Sequence, residues 1–282
     1  MTTTAPRATV PVGLVLGGVV SQQFGAAVAA LVFPLAGPLG VVTLRLTISA
    51  AVMVAVCRPR LRGHRPADWA VIGAFGVALA AMNMMFYQAV ARIPLGAAVT
   101  LEVLGPLALS VVAARRASSW LWAALALAGV ALLGRGGLGG LDLVGAGFAL
   151  GAGAMWAVYI LCSARTGSRF PKADGLALAM AVSAVISLPF GASTALLHPV
   201  ALGLGAAVAL LSSALPYSLE LLSLRTLRQS TFAVLMSLSP AVAAVAGHLV
   251  LGQRLGPLDV AAVALVVVAG VGAVRSAGGP VV

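Results

Sequence analysis

The sequence predicts an all-α polytopic membrane protein, and three observations carry that expectation. Hydrophobic residues make up 61% of the chain and charged residues 8%, against about 45–50% and 25% in soluble globular domains. No ionisable side chain lies between Arg7 and Arg45, a run well beyond the about 20 apolar residues that cross a hydrocarbon core of about 30 Å. The apolar runs also fail to alternate with polar residues, as the strands of a membrane barrel would.

Reading the runs between charged or Pro/Gly breaks gives ten transmembrane helices, at about 10–33, 38–57, 68–90, 94–114, 118–134, 141–163, 174–193, 200–221, 230–251 and 256–274. The first is too long for a signal-peptide core of about 7–15 residues and is read as a retained span. Pro34, Gly37 and Pro38 separate it from the second; the third follows the basic stretch Arg58 to Arg65, and Pro94 opens the fourth. The fifth is short, and Trp120 and Trp122 suit it to an interfacial anchor. Asp68, Asp142, Asp174 and Asp259 stand at span starts, where helix N-termini favour carboxylates.

The net charge of +11 follows a topological pattern. With the N-terminus in the cytoplasm, the inside segments hold Arg7, Arg58, Arg60, Arg62, Arg65, Arg115, Arg116, Arg165, Arg169, Lys172, Arg225, Arg228 and Arg275. The outside segments hold Arg92, Arg135 and Arg254, and Arg45 lies within a span. That bias places both termini in the cytoplasm, with the surplus cations facing anionic headgroups rather than nucleic acid. Cys57 and Cys162, near cytoplasmic span ends, are read as unpaired thiols. His64, His198 and His248 have no metal-ligand spacing, so no metal and no cofactor is expected.

One constant offset in numbering superposes the two halves: Gly13, Gly17, Leu16, Ser49 and Pro106 fall on Gly147, Gly151, Leu150, Ser183 and Pro240. The organisation expected is a first five-helix repeat over 1–138 and a second over 139–282. Five is odd, so the second repeat enters the membrane inverted, an architecture whose substrate site lies near the midplane between the copies. The pairs Gly13/Gly17 and Gly147/Gly151 read as small-residue seams allowing helices one and six to approach, or as plain packing.

Glu102 is a carboxylate in the middle of an apolar span, and such residues face a bundle interior and serve transport or proton relay. Counted at about 1.5 Å per residue from the outer ends of their spans, Arg45 lies about 11 Å deep and Glu102 about 12 Å deep. Two readings stay open: a static ion pair, or a coupling site where Glu102 exchanges a proton or meets a substrate ammonium. Glu220, at a span end, is read as an interfacial acid. Gln22, Asn83, Tyr87, Trp156, Tyr159, Ser213 and Tyr217 are candidate cavity walls, and under the offset Gln22 matches Trp156 and Asn83 matches Tyr217. Interhelical hydrogen bonding is the alternative for each. Pro106 and Pro240 are candidate hinges. Gly134, Gly136 and Gly139 match a dinucleotide pattern by letter, without the strand before it that gives those glycines meaning; no enzyme signature is found.

The segments Pro94–Leu107, Gly151–Leu161, Ser213–Glu220 and Thr43–Leu46 resemble the EamA family of the drug/metabolite transporter superfamily. The resemblance implies ten helices in two EamA repeats, an inner-membrane location and efflux of small amino acids such as threonine and homoserine. Ser239 and Gln253 depart from it, standing where acids are expected. The chain therefore reads as a secondary exporter of small amino-acid-like metabolites working by alternating access, with proton coupling open. Efflux of hydrophobic or cationic compounds is the alternative within transport, and a scaffold or intramembrane enzyme the alternative outside it.

Overall fold

The computed structural model describes residues 9–61, 63–114, 117–135, 142–167, 169–170, 173–191, 199–216, 219, 223 and 229–277. These form helices and their connections: α1 (Thr9–Cys57), α2 (Pro66–Val90), α3 (Leu95–Glu102), α4 (Leu104–Ala114), α5 (Ala117–Arg135), α6 (Leu143–Gly167), α7 (Asp174–Gly191), α8 (Pro199–Ala209), α9 (Gln229–Met236), α10 (Ser239–Leu251) and α11 (Pro257–Ala277). A π-helical turn, Leu210–Ala214, continues α8. Tyr217, Glu220, His198, Gly136, Gly139 and the cations Arg7, Arg62, Arg115, Arg116, Lys172, Arg225 and Arg228 lie outside the described residues.

Seven helical stretches are long and apolar enough to cross a membrane, and two shorter apolar ones, Trp120–Leu132 and Pro199–Ser213, accompany them. Helix α1 has 49 residues, about 73 Å at 1.5 Å per residue, more than twice a hydrocarbon core. It breaks where the sequence suggests: Gly37 takes φ 68° and ψ 162° between Pro34 and Pro38, a conformation glycine adopts at little cost. Its two limbs are separate crossings in length.

Helix boundaries repeat at the offset read from sequence. Thr9 and Leu143 start α1 and α6, and Cys57 and Gly191 end α1 and α7. Helices α3 and α9 are each eight residues long, and the same offset carries Leu95 onto Gln229 and Glu102 onto Met236. Packing repeats likewise: α2 lies on α6 and α8 on α1, α3 and α4 lie on α6 while α9 and α10 lie on α1, and α5 pairs with α11. A Cβ on Gly17 would meet Leu219 at 3.6 Å and one on Gly151 would meet Met85 at 2.9 Å, and Met85 and Leu219 are themselves equivalent under the repeat. These contacts favour the plain-packing reading of the glycine pairs over a seam between helices one and six. The glycines open each helix to a different neighbour, and Gly13 and Gly147 face no atom within 4 Å.

Bundle ends sort the described cations. Arg169 reaches Asp68 at the start of α2, so the α6–α7 turn and the α1–α2 loop, with Arg58, Arg60 and Arg65, share one end. Gly145 sits against Arg92, and Gln253 bonds Leu95, which puts Arg92 and Arg254 at the other. The aspartates cap as expected in three cases: Arg65 N–H donates to Asp68 at 3.0 Å, Val144 N–H to Asp142 at 2.9 Å and Gly256 N–H to Asp259 at 2.9 Å. Hydroxyls inside helices mostly donate to their own backbone, as Thr100 does to Gly96 at 2.6 Å and Ser183 to Met180 at 2.8 Å. That satisfies them without water.

Candidate functional site

Two interruptions of the helical ladder frame the interior. Pro106 has no N–H to give the Glu102 carbonyl, four residues earlier; α3 stops at Glu102, Val103 makes a turn, and α4 begins. Helix α6 fills the gap. A Cβ on Gly105 would run into the Gly153 oxygen, and one on Gly153 into the Glu102 oxygen. Only glycine at both positions allows this approach. The Glu102 side chain stands at the C-terminal end of α3 and is half-buried.

The second interruption is in α8. The π turn passes Leu215 N–H to Leu210, and Pro216, without an N–H, can serve neither the Leu211 nor the Ser212 oxygen. Side chains from α1 donate instead: Ser21 Oγ to Leu211 O at 2.7 Å and Arg45 Nη2 to Ser212 O at 3.1 Å. Arg45 also donates from Nε to Ser213 Oγ at 3.5 Å and from Nη1 to Tyr87 Oη at 3.3 Å, with its guanidinium 5.8 Å from the Tyr87 ring centre. Both Arg45 and Tyr87 are buried, and Phe33 lies 5.7 Å from the Tyr87 ring. Arg45 thus clamps α1, α2 and the α8 turn together.

The structure therefore joins Arg45, Tyr87 and Ser213 from the sequence-derived set, with Glu102 within electrostatic reach of Arg45. The two do not touch: among the described residues the one ion pair within 4.0 Å is Arg169–Asp68. Asn83 is buried but donates within its own helix, to Leu79 O at 2.8 Å. Tyr159 packs its ring 5.1 Å from Phe75, more than three helical turns from Tyr87 along α2. Gln22 and Trp156 are half-buried, and Tyr217 lies outside the described residues. Pro240 ends the second ladder as Pro106 ends the first, after Met236.

Sequence reasoning passed over three contributors. Ser21 and Phe33 carried no signal beyond lying in a long apolar run. Gln253, noted as a lost acid, keeps an acceptor oxygen: its Oε1 takes the Leu95 N–H at 3.1 Å and so caps the helix that ends in Glu102. Gly252, left-handed at φ 64°, turns the chain so that Gln253 can reach back.

Residues 143–275 match the EamA-like transporter family. Over 268 residues the chain is 40% identical to the threonine/homoserine exporter RhtA of Escherichia coli (strain K12), covering 93% of this chain and 90% of that protein. The threonine/homoserine exporter RhtA of Salmonella typhimurium (strain LT2) matches at the same 40% identity and coverage. A solved crystal structure superposes with a TM-score of 0.58 at 21% identity, covering 93% of this chain and 96% of that one.

Proposed function

This chain belongs to the EamA-like transporter family, and we propose that it exports small amino-acid-like metabolites of the threonine/homoserine type across a bacterial inner membrane. Near full-length identity to named exporters of those amino acids supports the substrate class. Ten crossings, both termini cytoplasmic, follow when the two limbs of α1, the α3–α4 pair, α8 with its π turn and the α9–α10 pair are each taken as one span. The recurrence of boundaries and packing partners at one constant offset supports two inverted repeats, 1–138 and 139–282. Alternating access is then rocking of one repeat against the other about a shared interior site.

The observation that carries the mechanism is the helix break at Glu102. A half-helix C-terminus concentrates partial negative charge, and here it coincides with an acidic side chain inside the span. That pairing suits a substrate ammonium or a proton carried inward as substrate leaves. Arg45 is held with Tyr87 and Ser213 within electrostatic reach of that acid, and Gln22, Asn83 and Trp156 are the further candidates for the interior among the described residues. Pro106 and Pro240 supply equivalent hinges. Export of labelled threonine and homoserine, with and without a pH gradient, tests this: Glu102→Gln should abolish it, and full export by that variant overturns the role. The rings of Phe33 and Phe86 packed on Tyr87, which itself faces Arg45, favour one second reading, efflux of hydrophobic cations, which predicts a drug-resistance phenotype without amino-acid export.

A further inference from the structure

Two cavities lie at positions that the repeat makes equivalent. One, of about 200 Å³, sits under the α6–α7 turn and is lined by Phe75, Ser163, Phe170 and Ala173 among others. The other, of about 300 Å³, sits at the Gly37 break of α1, between Ala36, Leu39, Gln88 and Gly191. Phe170 and Ala173 of the first fall on Ala36 and Leu39 of the second. They occupy opposite ends of the bundle, since one borders the start of α7 and the other its end.

Their covers differ. Over the first, Arg169 Nη1 donates to Asp68 Oδ1 at 3.2 Å, tying the α6–α7 turn to the first turn of α2. The His64 ring lies 4.8 Å from Phe170 and 6.0 Å from Trp69, so the α1–α2 loop packs on the same turn. Thr166 O accepts from both Arg169 N–H, at 3.0 Å, and Phe170 N–H, at 2.9 Å, which fixes that turn to α6. At the Gly37 mouth the lining is Gly, Ala, Pro, Leu and Phe, with Gln88 as its one polar side chain. Gln88 is engaged along its own helix by Arg92. No acid faces a base there among the described residues.

We propose that the Asp68–Arg169 bridge and the His64–Phe170 stack form a latch over the α6–α7 mouth that the Gly37 mouth lacks. A latch in this sense presupposes the alternating-access cycle proposed above. Its strength suits a reversible closure, since the side chains are 43% and 21% exposed and ion pairs so open to solvent are weak. A contact remade in every cycle must be weak, because binding energy of a small substrate has to break it.

The test uses full-length protein in nanodiscs, with Cys57→Ser and Cys162→Ala removing the native thiols. Ser163→Cys reports on the latched mouth and Ala36→Cys on the unlatched one, each by its rate of reaction with a membrane-impermeant maleimide. Ala36→Cys should react faster than Ser163→Cys. Adding Arg169→Gln or Asp68→Arg should speed Ser163→Cys several-fold and slow Ala36→Cys, and the double exchange Asp68→Arg with Arg169→Asp should restore the starting pattern. Unchanged rates overturn the latch; so does a faster Ser163→Cys with Ala36→Cys unmoved, which is local fraying. Labelling requires no substrate, so a latch that switches in a protein inactive on threonine and homoserine sinks the substrate reading alone. Export of those amino acids by a protein whose labelling never responds sinks the latch alone.

Discussion

The breaks after α3 and α9 share a position in the two halves and differ in how each heals. Both helices run eight residues and stop four residues before a proline. In the second half, Ser239 Oγ donates to the Met236 oxygen at 2.7 Å, so the carbonyl that Pro240 strands is satisfied by the next residue but two. In the first half the equivalent of Ser239 is Gly105 and the equivalent of Met236 is Glu102. There the stranded carbonyl meets Gly153 of α6 instead, and the side chain at the break is an acid. One break closes within its own chain segment; the other meets a neighbouring helix and bears an acidic side chain. The same backbone device thus ends in a hydroxyl at one position and in an acid at the other.

The largest effect expected from breaking this asymmetry is on activity. Glu102→Gln should lower threonine and homoserine export at least about tenfold, the size of a lost interaction of about 1.4 kcal/mol, whereas Met236→Gln should leave export within about twofold. Equal losses would mean that the acid is not what distinguishes the breaks. Next comes the α4–α6 approach: Gly105→Ala forces a methyl onto the Gly153 carbonyl and should cost about 1–3 kcal/mol, read as a lowered midpoint of thermal unfolding in detergent. Ser239→Ala should cost somewhat less, about 1–2 kcal/mol for an unsatisfied buried acceptor, with export retained. The smallest effect belongs to the start of α3: Gln253→Leu removes a cap worth about 1 kcal/mol, while Gln253→Glu, which keeps the oxygen, should match the parent in the same thermal assay.

How much of this was legible depended on whether a feature is written along the chain or across it. Apolar runs bounded by charges or by Pro and Gly gave each helical stretch to within a few residues, because hydrocarbon thickness fixes span length. Pro106 and Pro240 marked both breaks, because a missing N–H acts locally. The Arg45 clamp was not legible. Rise per residue placed Arg45 and Glu102 at one depth, but it says nothing of which way a helix face points, and Arg45 turns to Tyr87 and the α8 turn instead. Nor did the sequence mark Ser21, whose role depends on a carbonyl in another helix 190 residues away. The glycine pairs left two readings open for the same reason: small residues announce a close approach without naming the partner.

The π turn of α8 also bears on how the protein is made. Its two carbonyls depend on Ser21 and Arg45, which leave the ribosome long before Leu211 and Ser212 do. Released alone into lipid, that turn would expose two unpaired oxygens, at a cost of several kcal/mol each. The earliest helix is therefore a waiting template on which α8 completes itself, and the C-terminal half expressed without the first should be lost to membrane quality control rather than accumulate.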